Sequence, residues 1–156
     1  MPDLPPELFP VIISFISDPL TLCALCLSHR MLRYAAEKQL YSSVENKSSS
    51  ARTFKFLSTI VETPRLAEYV IQYRFIGQLN VPVNPDMLRL VAEGFIAMKN
   101  LKFLRFSESY VTPFHAELLD KDCGVSFQLE MLSFDDISKG NYLQKVLEQQ
   151  RHTLRE

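Results

Sequence analysis

Cys23-x-x-Cys26-x-x-His29 is the one stretch of this chain whose spacing reads like a metal site. On a helix, however, positions i, i+3 and i+6 fan through about 300° and do not converge on one ion. Structural zinc wants four ligands, so a fourth would have to come from His115, His152 or Cys123. A redox Cys-x-x-Cys pair belongs at a helix start that follows a strand, a position this pair does not occupy. The two thiols therefore read as buried apolar cysteines, and no metal or cofactor is expected. Asp135-Asp136 follows an apolar run at a turn, and His115-x-Glu117 lies near a short helix candidate. Either could supply an acid or a base, but neither has a nucleophile or partner at a telling spacing. Four scattered glycines cannot build a phosphate-cradling loop. The inventory points away from an enzyme.

The elements that carry these residues are clearest between positions 4 and 44. Pro5-Pro6-Glu7 opens a first helix, because proline lacks a donor that a helix start leaves unpaired and an acid suits the positive dipole end. Leu8, Val11, Ile12, Phe15 and Ile16 then recur at helical spacing. Asp18-Pro19 supplies a cap and an N1 proline for a second helix, Leu20 to Ser28. That helix is apolar almost all round and is expected to be buried on more than one side. A third runs from about His29 to Gln39, with Leu32, Ala35, Ala36 and Leu40 inward. A unit this small cannot bury so much apolar surface within itself. The surplus calls for a partner.

Leu4-Pro5-x-Glu7-Leu8, Ile12, Ile16, Pro19, Leu22, Leu27, Arg30, Ala35 and Leu40 together resemble an F-box motif, aligned without a gap. The resemblance implies docking to the Skp-type adaptor of SCF ubiquitin ligases, and through it to a cullin-RING ligase. It assigns Leu4, Pro5, Leu8, Ile12, Ile16, Leu22 and Leu27 to that contact. Met31 joins them, standing where many members carry a tryptophan.

Composition sets bounds on the rest. At 156 residues the chain is one domain, or a small module plus a modest second unit. Apolar residues make up 47% and charged ones 22%, a globular balance, not a disordered one. A net charge of −1 argues against nucleic acid or an anionic membrane surface as partner. The apolar tracts Val11 to Ile16 and Leu20 to Leu27 are too short to span a bilayer. With no Lys or Arg before Arg30, the N-terminus does not read as a signal peptide. Three cysteines, an odd number in apolar surroundings, suit a reducing compartment, so a cytoplasmic or nuclear location is expected.

The polar run Glu45 to Arg52 reads as a turn. It divides the chain into a module at 1–45, a linker at 46–52 and a second region at 53–156. In that region helical patterns (Thr53 to Glu62, a segment opened by Asn84-Pro85-Asp86, Phe114 to Leu119, Tyr142 to Gln150) alternate with strand patterns (Tyr69 to Ile76, Leu101 to Phe106, Leu129 to Phe134). The strands share a frame: Val70-x-x-Tyr73-x-Phe75, Leu101-x-x-Leu104-x-Phe106 and Leu129-x-x-Leu132-x-Phe134. This frame resembles the strand of a leucine-rich repeat, without its usual asparagine at Gln78, Ser109 and Ile137. The array is similar to the degenerate ones that follow the F-box in many fungal F-box proteins. The fold expected is thus α/β: a three-helix module, then a short irregular repeat array with parallel strands and helices on the outer face. Leu154 opens another frame, so the chain is expected to be a piece of a longer array. Residues between the apolar frame positions, Gln72, Arg74, Phe103, Arg105, Met131 and Ser133, point to the concave side and are the candidates for a substrate face. The reading that unites these features is a non-catalytic adaptor that presents a protein target to a ubiquitin ligase. Its rival is a scaffold or fragment without ligase function.

Overall fold

The structure, a computed structural model, describes residues 5–47, 50–76, 85–107 and 128–134. Three helices come first: α1 (Leu8–Ser14), α2 (Pro19–Ser28) and α3 (Arg30–Ser42). Asp18 caps α2 as its sequence position demands, its carboxylate accepting from the Thr21 N–H at 2.8 Å and the Thr21 hydroxyl at 2.6 Å. These bonds, the hydroxyl first, hold the Asp18 carboxyl below the usual carboxylate range. His29 caps α3, its Nδ1 accepting from the Met31 N–H at 3.2 Å. Ile13, Leu22, Ala35 and Ala36 form a small core, with Ile16, Leu25, Cys26, Leu32 and Leu40 packed around it.

Two expectations fail in this module. α2 buries only Leu22, while Leu20 and Leu27 are 80% and 89% exposed. Cys23 is exposed and Cys26 half-buried, so the thiols are not core residues. The cause is common to both: α2 packs chiefly on α3, which covers one side of an all-round apolar helix.

α3 runs without a loop into β1 (Ser43–Lys47), which is followed by α4 (Ser50–Glu62), α5 (Pro64–Ala67), β2 (Gln72–Ile76), α6 (Pro85–Ala97), β3 (Phe103–Ser107) and β4 (Met131–Phe134). Of the polar run read as a linker, residues 45–47 belong to a strand and residues 50–52 begin a helix. Asn46 makes this possible, because its side chain is buried and its amide donates to the Tyr73 hydroxyl at 3.0 Å. Burial pushes the Tyr73 phenol up to about 12, with the Asn46 bond pulling the other way.

The four strands pair in parallel and in chain order, β1-β2-β3-β4. Ser43 aligns with Gln72, Gln72 with Phe103 and Phe103 with Met131, offsets of 29, 31 and 28 residues. Each strand is entered the same way. The Ser42 carbonyl accepts from the Ile71 N–H at 3.1 Å, the Ile71 carbonyl from Lys102 at 2.8 Å, and the Lys102 carbonyl from Glu130 at 2.8 Å. Asn100 adds a side-chain tie, donating to the Glu68 carbonyl at 2.8 Å.

One face of the sheet is covered. Tyr73, Phe75 and Leu104 meet Leu57 and Ile60 of α4 and Val91 and Phe95 of α6. Val70, Leu101 and Leu129, the first position of each frame, lie fully buried in the entry turns ahead of the strands. Tyr41, Phe56, Tyr73 and Phe95 form a chain of ring contacts, with centroids 6.4, 5.7 and 5.7 Å apart. On α4 the inward row is Thr53, Leu57 and Ile60, and Phe54 is exposed. The helix candidates Phe114 to Leu119 and Tyr142 to Gln150 lie outside the described residues, as do Gln78, Ser109, Ile137 and Leu154.

Candidate functional site

Among the described residues, those with chemical potential do not converge. His29 Nδ1 is taken by the Met31 N–H, and among the described residues no three His, Cys, Asp or Glu side chains gather as metal ligands. Cys26 is drawn inward beside Glu37, and desolvation pushes its thiol up, away from the thiolate form that reacts. His115, Glu117, Cys123, Asp135, Asp136 and His152 lie outside the described residues. What the fold presents are two exposed faces and a charged joint between them.

The first face belongs to the helices. α1 turns Ile13 into the small core and leaves Leu8, Val11, Ile12 and Phe15 outward, Phe15 at 84% exposure. Leu20, Leu27 and Met31 add to the exposed apolar area on α2 and α3. Burying one such side chain fully is worth about 1.5–3 kcal/mol, so leaving several in water is a cost that a partner would remove. Of the expected docking residues, Pro5, Leu8, Ile12, Leu27 and Met31 are exposed. Ile16 is half-buried against the small core, and Leu4 lies outside the described residues. Leu22 is corrected: it is 3% exposed, packed with Ile13, Ala35 and Ala36, and holds the module together from inside. Val11, Phe15 and Leu20 were missed as surface residues. The stripe Leu8, Val11, Ile12, Phe15 carried that signal, since a helix with one buried side chain must turn its stripe to the outside.

The second face is the side of the sheet away from α4 and α6. Strand alternation and register set its side chains in two rows, Ser43, Gln72, Phe103, Met131 and Glu45, Arg74, Arg105, Ser133. All six sequence candidates fall in these rows. Gln72, Arg105 and Met131 are exposed, and Arg74, Phe103 and Ser133 are half-exposed. Arg74 reaches Glu45 of the neighbouring strand at 3.3 Å.

The joint lies between α3 and α5. Glu37, 7% exposed, receives Arg33 at 2.8 Å and Arg65 at 2.7 Å. Burial would raise its pKa, but the guanidiniums of Arg65 and Arg33 outweigh that and hold the carboxyl below its usual range. Arg65 also donates to the Tyr69 hydroxyl at 3.1 Å, and Tyr34 meets Tyr69 edge to face at 5.7 Å. Glu37 was not singled out from the sequence, although its (i, i+4) arginine was visible there. A groove of about 310 Å³ between α4–α5 and α6 is walled by Val61, Pro64, Ile96 and Ala97 and holds no nucleophile–base pair.

Among the described residues no helix is long and apolar enough to cross a membrane. No family model matches this chain, and neither a curated protein nor a solved structure is significantly similar to it.

Proposed function

We propose that this chain is the target-recognition adaptor of an SCF-type ubiquitin ligase. Its N-terminal helices act as an F-box that docks to a Skp-type subunit, and its sheet is a degenerate leucine-rich-repeat array that presents the target. The observation that carries this reading is the apolar face left open by the helices. Leu8, Ile12, Leu27 and Met31 are exposed, and the F-box resemblance assigns these positions to the adaptor contact. The stacked strands at near-constant offset support the repeat reading of the second region. The role is non-catalytic: holding a target beside a ubiquitin-charged enzyme raises its effective concentration, and the chemistry belongs to other subunits.

Co-expression with a Skp-type adaptor, followed by pull-down, tests the proposal. Leu8→Asp with Ile12→Asp is the variant of choice, because both side chains are nearly half exposed and the free chain should tolerate the change. In a complex the same carboxylates would be buried unpaired, at a cost of several kcal/mol. Capture by the wild type, lost in the variant, is the expected result, with the cullin subunit co-purifying. A folded wild type that captures no adaptor overturns the proposal. Capture without the cullin leaves a scaffold in place of a ligase subunit.

A further inference from the structure

The open face of the sheet carries a pattern specific enough to name the chemistry of its occupant. Arg74 and Arg105 stand directly in register on neighbouring strands, the middle two of the four. Like charges side by side on a sheet are unfavourable by themselves. Glu45 offsets Arg74 from the outer side at 3.3 Å. One row toward the strand starts, about 7 Å away at 3.3 Å per residue, lie Phe103 and the well-exposed Met131. Guanidiniums recognise carboxylates through paired, charge-assisted bonds. Beside them, an aromatic ring and a flexible thioether form an adaptable apolar seat.

We infer that this face binds an extended acidic peptide segment, with a Glu or Asp side chain on the Arg74–Arg105 pair and a bulky apolar side chain seated on Phe103 and Met131. The spacing fits a peptide in which the two anchors stand two residues apart, since an extended chain repeats its side-chain direction at about that distance. The inference takes the sheet as the target-presenting face and so rests on the function proposed above. A single-stranded nucleic acid also pairs phosphates with arginine and bases with aromatic rings. The molecule disfavours it: Glu45 lies against Arg74, and the chain's net charge is −1.

Fluorescence anisotropy on the full chain, without the adaptor, tests the inference. The probes are a labelled decapeptide of Glu-Ser-Leu-Ser repeats, in which Glu and Leu stand two residues apart on one side of the extended chain, its Lys-for-Glu and Ser-for-Leu counterparts, and a labelled oligo-uridine of equal charge. The Glu-Leu peptide should bind tightest, and either exchange should weaken it at least tenfold. Arg74→Glu with Arg105→Glu should abolish binding, while Arg74→Lys with Arg105→Lys should retain part of it; thermal melts by circular dichroism confirm that each variant is folded. Equal binding of the Glu and Lys peptides, tighter binding of the oligonucleotide, or full binding by the glutamate variant would each overturn the assignment. The wild type separates the two proposals: peptide binding without adaptor capture sinks the ligase reading alone, and adaptor capture without peptide binding sinks this one alone. Leu8→Asp with Ile12→Asp should lose the adaptor and still bind the peptide normally.

Discussion

Gly94→Ala sets two effects against each other, and the structure decides between them. Gly94 lies inside α6, where alanine is worth about 1 kcal/mol more than glycine in helix propensity. A Cβ there would lie 2.7 Å from Leu57 Cδ2 and 3.6 Å from Ile60 Cδ1. Carbon atoms settle at about 3.5–4.0 Å, so the first contact overlaps by roughly 1 Å. Leu57 is 1% exposed and cannot swing aside without displacing its neighbours. Overpacking of this kind costs about 1–3 kcal/mol. The net expectation is a loss of about 1 kcal/mol, the overpacking cost less the propensity gain. Leu57→Ala reverses the balance. Alone it should cost about 2–5 kcal/mol through the cavity it leaves. With the clashing methyl gone, Gly94→Ala keeps its propensity gain and refills part of that cavity, so in this background it should stabilise by about 1 kcal/mol. Urea unfolding of the four proteins, followed by circular dichroism, gives the cycle. The two changes should couple by about 2 kcal/mol, with the sign of Gly94→Ala differing between backgrounds. If Gly94→Ala stabilises both, α4 and α6 do not approach at Gly94 and the reasoning is refuted.

Two further outcomes follow from buried polar pairs. Tyr73→Phe leaves the buried Asn46 amide without its acceptor and should cost about 1–3 kcal/mol in urea unfolding; adding Asn46→Leu should recover part of that loss, whereas strictly additive losses would show that the pair does not interact. Glu37 has a depressed folded pKa, so its contribution is present above the unfolded carboxylate value of about 4.3 and is lost as pH falls through the folded value. Thermal melts of the wild type should therefore lose stability below about pH 4.3, and Glu37→Gln should be less stable at pH 7 and flatter through that range; an equally steep acid limb in the variant would remove Glu37 from the account.

The periodic parts of the fold were legible in the sequence, and the polar parts were not. Val70, Tyr73, Leu101, Leu104, Leu129 and Leu132 announced three strands because each frame repeats the same apolar spacing, and the sheet stacks those frames in register. β1 has the same frame, Tyr41-x-x-Val44-x-Asn46, 29 residues ahead of Val70, but its last position holds an amide and not an apolar side chain. Hydropathy reads such a residue as turn. Only the distant Tyr73 hydroxyl makes it a core position, and that contact spans 27 residues. α2 misled in the opposite direction. Its composition is that of a buried helix, yet burial depends on how many neighbours a helix acquires, which composition does not state. That Gln72, Arg74, Phe103, Arg105, Met131 and Ser133 share a face was legible because strand alternation alone fixes it; the pairing of Arg74 with Glu45 needed the missed strand.

That missed strand also changes how the two faces relate. A long flexible linker would let the helices and the sheet turn independently, and any geometry between the two exposed faces would be averaged away. Instead Ser42 ends α3 and Ser43 begins β1, so the last helix of the module and the first strand of the sheet are one continuous piece of backbone. Continuity alone leaves a pivot at that junction. The Glu37–Arg65 ion pair and the Tyr34–Tyr69 contact, both between α3 and the α5 turn, supply a second point of attachment away from the pivot. Two attachments of different kinds define an orientation where one does not. The carboxylate of Glu37 is buried, so releasing Arg65 leaves it with Arg33 alone and its second oxygen without a cation, a cost that resists hinge opening more strongly than an exposed pair could. The adaptor role proposed above would use this stiffness, because effective concentration falls when the connection between two bound partners loosens.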